Sequence, residues 1–308
     1  MIVVKDAKIA ESKELAATVG FFDGVHLGHR FLVEELKQIA CQEGLRSAVI
    51  TFPEHPRAVL QSDYQPKLLN TFDEKLSCLA STGVDACVVL DFTPQLACLT
   101  AQEFISDVLA ARLHVKTLLV GYDHRFGHNR AEGFEQYVTY GAACGMKVIQ
   151  ASRFTEGDVA VSSSEIRRLL SECRVEEAAR LLTYNYQLSG KVVTGYQVGR
   201  KLGFPTANIR VGDASKMIPG IGVYAVWVEL AGKRYKGMLY IGSRPTLAEG
   251  NQISLEVNIL NFSGDIYNKE LTVSFVHYIR GDIKFGSLDE LAEQLRQDRE
   301  MVEKVLTE

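Results

Sequence analysis

Nowhere in this 308-residue chain does an apolar run approach the ~20 residues needed to cross a bilayer as a helix. The opening stretch, MIVVKDAKIAESKEL, carries charge within its first residues and lacks the apolar h-region of a secretory signal. The six cysteines (Cys41, Cys78, Cys87, Cys98, Cys144, Cys173) never form a CxxC pair, which excludes the common zinc and thioredoxin-like spacings. They read as buried free thiols, and a reducing cytoplasm is the expected location. Basic excess is also missing: the net charge is −4, which argues against a general nucleic-acid binder. There is no internal repeat and no low-complexity linker. What is present is enough apolar mass for real cores, at 46% hydrophobic residues, in a chain long enough for two domains.

Two patterns divide the chain. Short apolar runs of strand length, Ala16–Phe22, Ser47–Phe52, Ala86–Phe92, Val115–Val120 and Lys147–Ala151, alternate with amphipathic stretches of helix length, Arg30–Cys41, Asp73–Ser81, Ala101–Arg112 and Gly133–Cys144. Unalternating apolar strands separated by helices predict a Rossmann-like parallel sheet covered on both faces. Such sheets bind ligands beyond the carboxyl ends of their strands. From about Leu188 strands follow one another: Lys191–Thr194, Thr206–Ile209, Val223–Leu230, Arg234–Ile241, Ser254–Leu260 and Leu271–Tyr278. A hairpin is expected at Ala231-Gly232-Lys233. An antiparallel barrel closed by a helix over Ser287–Leu306 is the expected second fold, and the boundary is placed at 185/186.

Gly20–Arg30, GFFDGVHLGHR, directly follows the first of those strands. Gly24 permits a tight turn close to a ligand. His26 and His29, three apart around Gly28 at a helix start, put two imidazoles on one side beside free backbone amides, a socket for polyphosphate. Two histidines on a solvated first turn would carry the bare HxGH equally well; the longer string favours the socket. Ser162-Ser163-Ser164-Glu165-Ile166-Arg167 offers hydroxyls at a helix start and a guanidinium one turn on, as a phosphate cradle or as a plain serine N-cap. Asp123, in VGYDHRFG after a strand, can hold a substrate donor or hydrated magnesium, or serve a turn.

The second concentration of unusual residues is Gly190–Ile209, GKVVTGYQVGRKLGFPTANI. Gly195, Gly199 and Gly203 let a loop fold over a ligand, Pro205 stiffens the next turn, and Arg200 lies among them. Thr206 and Asn208 share one face of extended chain, where hydroxyl and amide oxygens suit magnesium and phosphate; structural glycines in a hairpin are the alternative. No GxxxxGK[ST] string occurs, so this is no Walker A loop. Glu256 interrupts the apolar strand Ser254–Leu260, as a solvated outward side chain or as a proton acceptor for an attacking hydroxyl.

The set GFFDGVHLGH, TFPEHPRAVL (Thr51–Leu60), VGYDHRFG and VSSSEIR resembles the FMN adenylyltransferase half of bacterial bifunctional riboflavin kinase/FAD synthetases. GKVVTGYQVGRKLGFPTAN, PGIGVYAV, IGSRPT, LEVNIL and IRGDIKFGSLDEL are similar to the riboflavin kinase half, in the same order. The resemblance covers nearly the whole chain. Class I aminoacyl-tRNA synthetases share HxGH, but no Lys-Met-Ser-Lys-Ser string is present. The resemblance implies ATP-dependent phosphorylation of riboflavin to FMN in residues 186–308, then adenylylation of FMN to FAD in residues 1–185, with magnesium.

It implies that His26, His29, Asp123 and Arg167 hold phosphates in the second step. Gly20, Phe21, Asp23, Gly24, Gly28 and Ser162, Ser163 and Ser164 complete that ATP corner. In the first step it implies that Thr206 and Asn208 hold magnesium and phosphate under the glycine-rich segment. Glu256 becomes the base on the riboflavin 5′-hydroxyl, and Arg280, Asp282 and Phe285 the flavin contacts. Partners are therefore riboflavin, FMN, FAD and ATP, with no nucleic acid and no membrane, in a monomer or weak homo-oligomer. Three positions depart from the usual family pattern: Tyr240 stands for asparagine, Ser164 for threonine and His124 for a phenyl ring. A flavin sensor without turnover, or an enzyme with one half degraded, is the competing reading. A sensor has no need of the base Glu256.

Overall fold

The computed structural model describes residues 1–5, 14–60, 66–122, 124–128, 132–154, 161–195, 203–246 and 250–307, and the chain divides into two compact units, Met1–Ser163 and Ser164–Glu308. The first unit holds a six-stranded sheet, paired in parallel throughout, in the order β1-β4-β3-β2-β5-β6. Its strands are β1 (Ile2–Lys5), β2 (Leu15–Val19), β3 (Arg46–Thr51), β4 (Ala86–Val89), β5 (Val115–Val120) and β6 (Lys147–Gln150). Strand β2 is buried at every position and β3 at all but its first, as unalternating apolar runs require when both faces are covered.

The helices are α1 (Leu27–Glu43), α2 (Pro56–Leu60), α3 (Phe72–Ala80), α4 (Pro94–Ala97), α5 (Ala101–Glu103) and α6 (Phe134–Ala143). Helix α5 runs on as a π-wound stretch, Phe104–Arg112. Val33 and Leu36 bury one stripe of α1 on the sheet, and Ile105, Leu109 and Tyr137 pack on it from other helices. The chain runs outward from β2 through β3 to β4, then restarts at β5 on the other side of β2. The strand order thus reverses between β2 and β5, and both loops singled out in the sequence leave the sheet at that switch point. The loop after β5 is pinned by buried Tyr137, whose hydroxyl accepts from Phe126 N at 3.1 Å and donates to Glu132 O at 3.0 Å.

The second unit opens with α7 (Ser163–Ser171) and α8 (Val175–Leu182) and continues as a closed antiparallel barrel ordered β10-β11-β8-β7-β12-β9. The strands are β7 (Gln187–Val193), β8 (Ala207–Val211), β9 (Gly222–Leu230), β10 (Lys233–Thr246), β11 (Gly250–Ile259) and β12 (Glu270–Arg280). Ala231 and Gly232, both at positive φ (50° and 74°), make the two-residue hairpin turn between β9 and β10. Closure leaves no free sheet edge in the barrel. Helix α9 (Leu288–Val305), capped by the Ser287 hydroxyl, seats Val302 against Val223, Ala225 and Met238. Its Asp298, 1% exposed, accepts from Arg280 Nε at 3.0 Å and Nη2 at 2.8 Å. Among the described residues no helix is long and apolar enough to cross a membrane.

The Arg280–Asp298 pair ties α9 to the last strand, and removing one partner leaves a buried charge uncompensated. Asp298→Ala is expected to destabilise the second unit by about 3–5 kcal/mol, whereas Asp298→Leu combined with Arg280→Met loses far less. Urea unfolding followed by Trp227, the chain's one tryptophan and a residue of β9, measures both.

Candidate functional sites

In the first unit the strand β2 stops at Val19 and the chain turns sharply before α1. Phe22 (φ 56°), Gly24 (φ 82°) and Val25 (φ 38°) all take positive φ within four residues. For a branched residue such as Val25 this is strained, and strain of this kind persists only where surrounding contacts hold it. The holders are visible. Asp23, 5% exposed, accepts from the backbone amides of Leu69 at 2.9 Å and Asn70 at 3.3 Å through Oδ1. Ser163 Oγ donates to the Asp23 carbonyl at 2.9 Å. Lys75, 2% exposed, donates to Phe21 O at 3.1 Å and Phe52 O at 2.7 Å.

His26 is the N-cap of α1, and its Nδ1 accepts from His29 N at 3.4 Å. That bond leaves its ring proton on Nε2. The two imidazoles stack at 3.7 Å with planes 16° apart. A Cβ on residue 28 would reach the His26 ring at 3.4 Å, so the backbone there runs close beside that imidazole. Burial first, then the charges of His26, His124 and Lys75, hold the His29 pKa well below 6.5. His29 is therefore neutral at pH 7, and its buried Nδ1 has no hydrogen-bond partner among the described residues. The corner thus presents the neutral His29 ring, the His26 imidazole and the first-turn amides of a 17-residue helix, backed by one buried ammonium.

The second unit gathers its candidate residues around β11. Glu256 lies directly opposite Asn208 on β8 and opposite Tyr240 on β10, so the three side chains share one face. Thr206 Oγ1 donates to Glu256 Oε2 at 3.3 Å. Asn258 Nδ2 holds Pro205 O at 2.7 Å and fixes the turn before β8. A Cβ on residue 195 would stand 2.1 Å from Asn208 Nδ2, so only glycine lets the loop lie against that amide.

Two cavities meet at Thr206. One, of about 300 Å³, is lined by Phe204, Tyr240, Glu256, Asn258, Arg280, Asp282 and Phe285 among others. The other, of about 600 Å³, lies between Pro205 and the Phe262–Tyr267 segment. Arg280 is engaged by Asp298 and by the Gly281 carbonyl at 3.0 Å, so it serves the smaller cavity as wall and fixed charge. Tyr240 donates to Asp282 Oδ1 at 3.0 Å across the mouth, and burial pushes its hydroxyl up to about 12. Tyr240 thus forms part of this wall.

The structure thus brings Gly20, Phe21, Asp23, Gly24, His26, Gly28, His29 and Ser163 to one corner, with Ser162 adjoining in the chain. It brings Gly195, Pro205, Thr206, Asn208, Glu256, Arg280, Asp282 and Phe285 to the barrel site. Gly203 (φ 83°) turns the chain just before it. Ser164 and Arg167 lie in the second unit on α7, with Arg167 Nη2 3.4 Å from Ser164 Oγ. Asp123, Gly199 and Arg200 lie outside the described residues. Sequence reasoning missed Lys75, Asn258, Asp298 and the Phe262–Tyr267 wall. Lys75 had a signal: it occupies the buried stripe of α3 four residues before Leu79.

Residues 8–165 match the family model for FAD synthetase, and residues 182–306 that for riboflavin kinase. The bifunctional riboflavin kinase/FMN adenylyltransferase of Listeria monocytogenes is 38% identical over 92% of this chain and 89% of that protein. The enzyme of the same name from Escherichia coli K12 is 39% identical over 91% and 89%, and that of Bacillus subtilis 34% over 94% and 92%. A crystal structure described as a macrolide-efflux protein from Streptococcus pneumoniae shares the fold, with a TM-score of 0.89, 32% identity, and 98% and 99% of the two chains covered. The efflux name belongs to that protein. The chain described here belongs to the bifunctional riboflavin kinase/FMN adenylyltransferase family.

Proposed function

We propose that this chain makes FMN and then FAD, by two transfers from ATP in separate sites, with kinase residues 186–308 and adenylyltransferase residues 1–185. The matched spans 8–165 and 182–306 support that division. The observation that carries the kinase assignment is Glu256 held by Thr206 where two cavities meet. The smaller cavity takes the riboflavin, with Phe285 and Tyr240 as walls, and the larger takes ATP. Glu256 accepts the proton of the ribityl 5′-hydroxyl as its oxygen bonds to the γ-phosphorus, and ADP leaves.

Thr206 hydroxyl, Asn208 amide and Glu256 carboxylate are all hard oxygen donors, which fits magnesium. No group of three His, Cys, Asp or Glu side chains forms a metal site among the described residues. A cation here would rest on Thr206, Asn208 and the nucleotide's own oxygens. When bound, magnesium neutralises charge on the phosphates. Gly199 and Arg200 are assigned to the loop over ATP, and Gly195 and Gly203 to its ends.

In the adenylyl transfer an oxygen of the FMN phosphate bonds to the α-phosphorus of a second ATP and pyrophosphate leaves. His26, His29 and the α1 amides hold the phosphates, and neutral His29 donates without needing a charge. Asp123, Ser162, Ser163, Ser164 and Arg167 keep the phosphate-holding roles that the resemblance implies. No covalent intermediate is required, so positioning supplies the rate. The six cysteines are free, as expected, but only Cys87 is buried and Cys41 and Cys98 are exposed; free thiols support a reducing, cytoplasmic setting. A monomer or weak homo-oligomer, with no nucleic-acid partner, completes this reading.

Glu256→Ala is expected to cut FMN formation from riboflavin by about 10²–10⁴-fold and to leave FAD formation from supplied FMN within twofold. His29→Ala is expected to do the reverse, with a loss of about 10²–10³-fold in FAD formation. Chromatographic product analysis of the two half-reactions measures both, and equal loss of both activities in each variant contradicts separate sites. Gly195→Ala, which drives a methyl into Asn208, is expected to lower FMN formation by at least about tenfold. Initial rates with saturating FMN then test whether FAD formation is spared.

A further inference from the structure

Lys75 has no role in any motif above, yet it is a charged side chain placed inside the first unit beside the histidine corner. An uncompensated ammonium is rarely buried without a function or a full set of partners. Its partners are unusual, since both hydrogen bonds go to main-chain carbonyls at the ends of neighbouring strands. Nζ donates to Phe21 O, just past β2, and to Phe52 O, just past β3. The same nitrogen stands 3.9 Å over the Phe21 ring, and that ring meets His55 edge-on at 4.8 Å. One side chain thus touches the first residues of both GFFDGVHLGHR and TFPEHPRAVL. Its charge also reaches His29, whose protonation it opposes.

We propose that Lys75 is a positioning residue for adenylyl transfer: its ammonium ties the two strand ends that carry the ligand-facing loops and sets a fixed positive charge behind the histidine pair. The inference rests on the assignment of adenylyl transfer to this corner. A neutral amine keeps donors for both carbonyls but loses the charge assistance and the cation–π contact, so the tie weakens when the proton leaves. Burial lowers this ammonium to about 8, against the upward pull of Asp23 and Cys87. The titratable groups that face it are Asp23 from the corner, Cys87 from β4 and His29 from α1. Cys87 stays a neutral thiol to about 11, and His29 is neutral above 6.5, so neither titrates near pH 8. The lysine is charged below its pKa, and positioning is therefore lost as pH rises through about 8. Bound ATP, an anion, favours the charged form and moves that loss to higher pH.

The test is a pair of pH–rate profiles on the full-length protein, one for FAD formation from FMN and ATP, the other for FMN formation from riboflavin and ATP. In the unmodified protein kcat/KM for ATP in FAD formation should fall as pH rises through about 8, kcat should fall only at higher pH, and FMN formation should show no such limb. Lys75→Met should lower FAD formation by about 10- to 100-fold, flatten its alkaline limb, and leave FMN formation within twofold. Lys75→Arg, which keeps the charge, should retain more activity than Lys75→Met and lose the limb near pH 8. A Lys75→Met protein with unchanged FAD formation, or with the alkaline limb intact, overturns the proposal. Where Lys75→Met fails to fold its first unit, the unmodified profiles decide: an alkaline limb confined to FAD formation supports the proposal, and its absence up to pH 9.5 overturns it. An unmodified protein that makes no FAD from FMN at any pH sinks the functional reading itself, a different failure.

Discussion

The corner of the first unit proposed to hold ATP is a place where a strand ends and its ladder of backbone hydrogen bonds stops. The amides and carbonyls past that point still need partners, and leaving them buried and unpaired is costly. In the parallel sheet the debt at β2 and β3 is met by side chains from elsewhere. Lys75 and the Thr51 hydroxyl serve Phe21 O, Lys75 serves Phe52 O, and Asp23 serves two amides some 46 residues away. The barrel solves the same problem with Asn258 on Pro205 O and Arg280 on Gly281 O. Polar side chains that fasten backbone therefore sit just beneath the ones assigned to substrate.

That arrangement explains why the corner can hold strained backbone. Three positive φ values between Phe22 and Val25 turn the chain quickly enough to aim the amides of α1 at the switch point of the sheet. The histidine pair then stands stacked at the helix start, with His29 neutral. In the barrel the corresponding rigidity comes from cross-strand register, which fixes Asn208, Glu256 and Tyr240 side by side with no loop between them. One site is built from a loop clamped at both ends, the other from a sheet face.

Much of this was legible in the residues. Apolar runs without alternation marked β2 to β6, and Ala231-Gly232 marked a hairpin. The sequence missed β1, because Ile2–Lys5 is a short exposed edge next to charged residues and shows no buried run. It could not show that 104–112 would wind as a π-helix, since apolar spacing there suits either winding. HxGH and FPTAN were visible because glycines, histidines and polar residues are dense there. Asp298 was not, because a lone charge in an amphipathic helix reads as solvent-facing until the packing shows it pointing inward, and Lys75 was passed over for the same reason although its spacing to Leu79 placed it on the buried stripe. The barrel's larger cavity was hidden for another reason: Phe262–Tyr267 joins Thr206 only through closure of the sheet.

The central claim is that one chain performs two different transfers from ATP, a γ-phosphoryl group to riboflavin and an adenylyl group to the resulting phosphate. Tracing phosphorus tests it most directly. Riboflavin is incubated with the protein and ATP labelled separately at the γ or the α position, and the products are separated. The account predicts FMN labelled only from γ-ATP, and FAD containing one phosphorus from the γ position and one from the α position. FAD without γ-derived phosphorus, or FMN labelled from α-ATP, would contradict it.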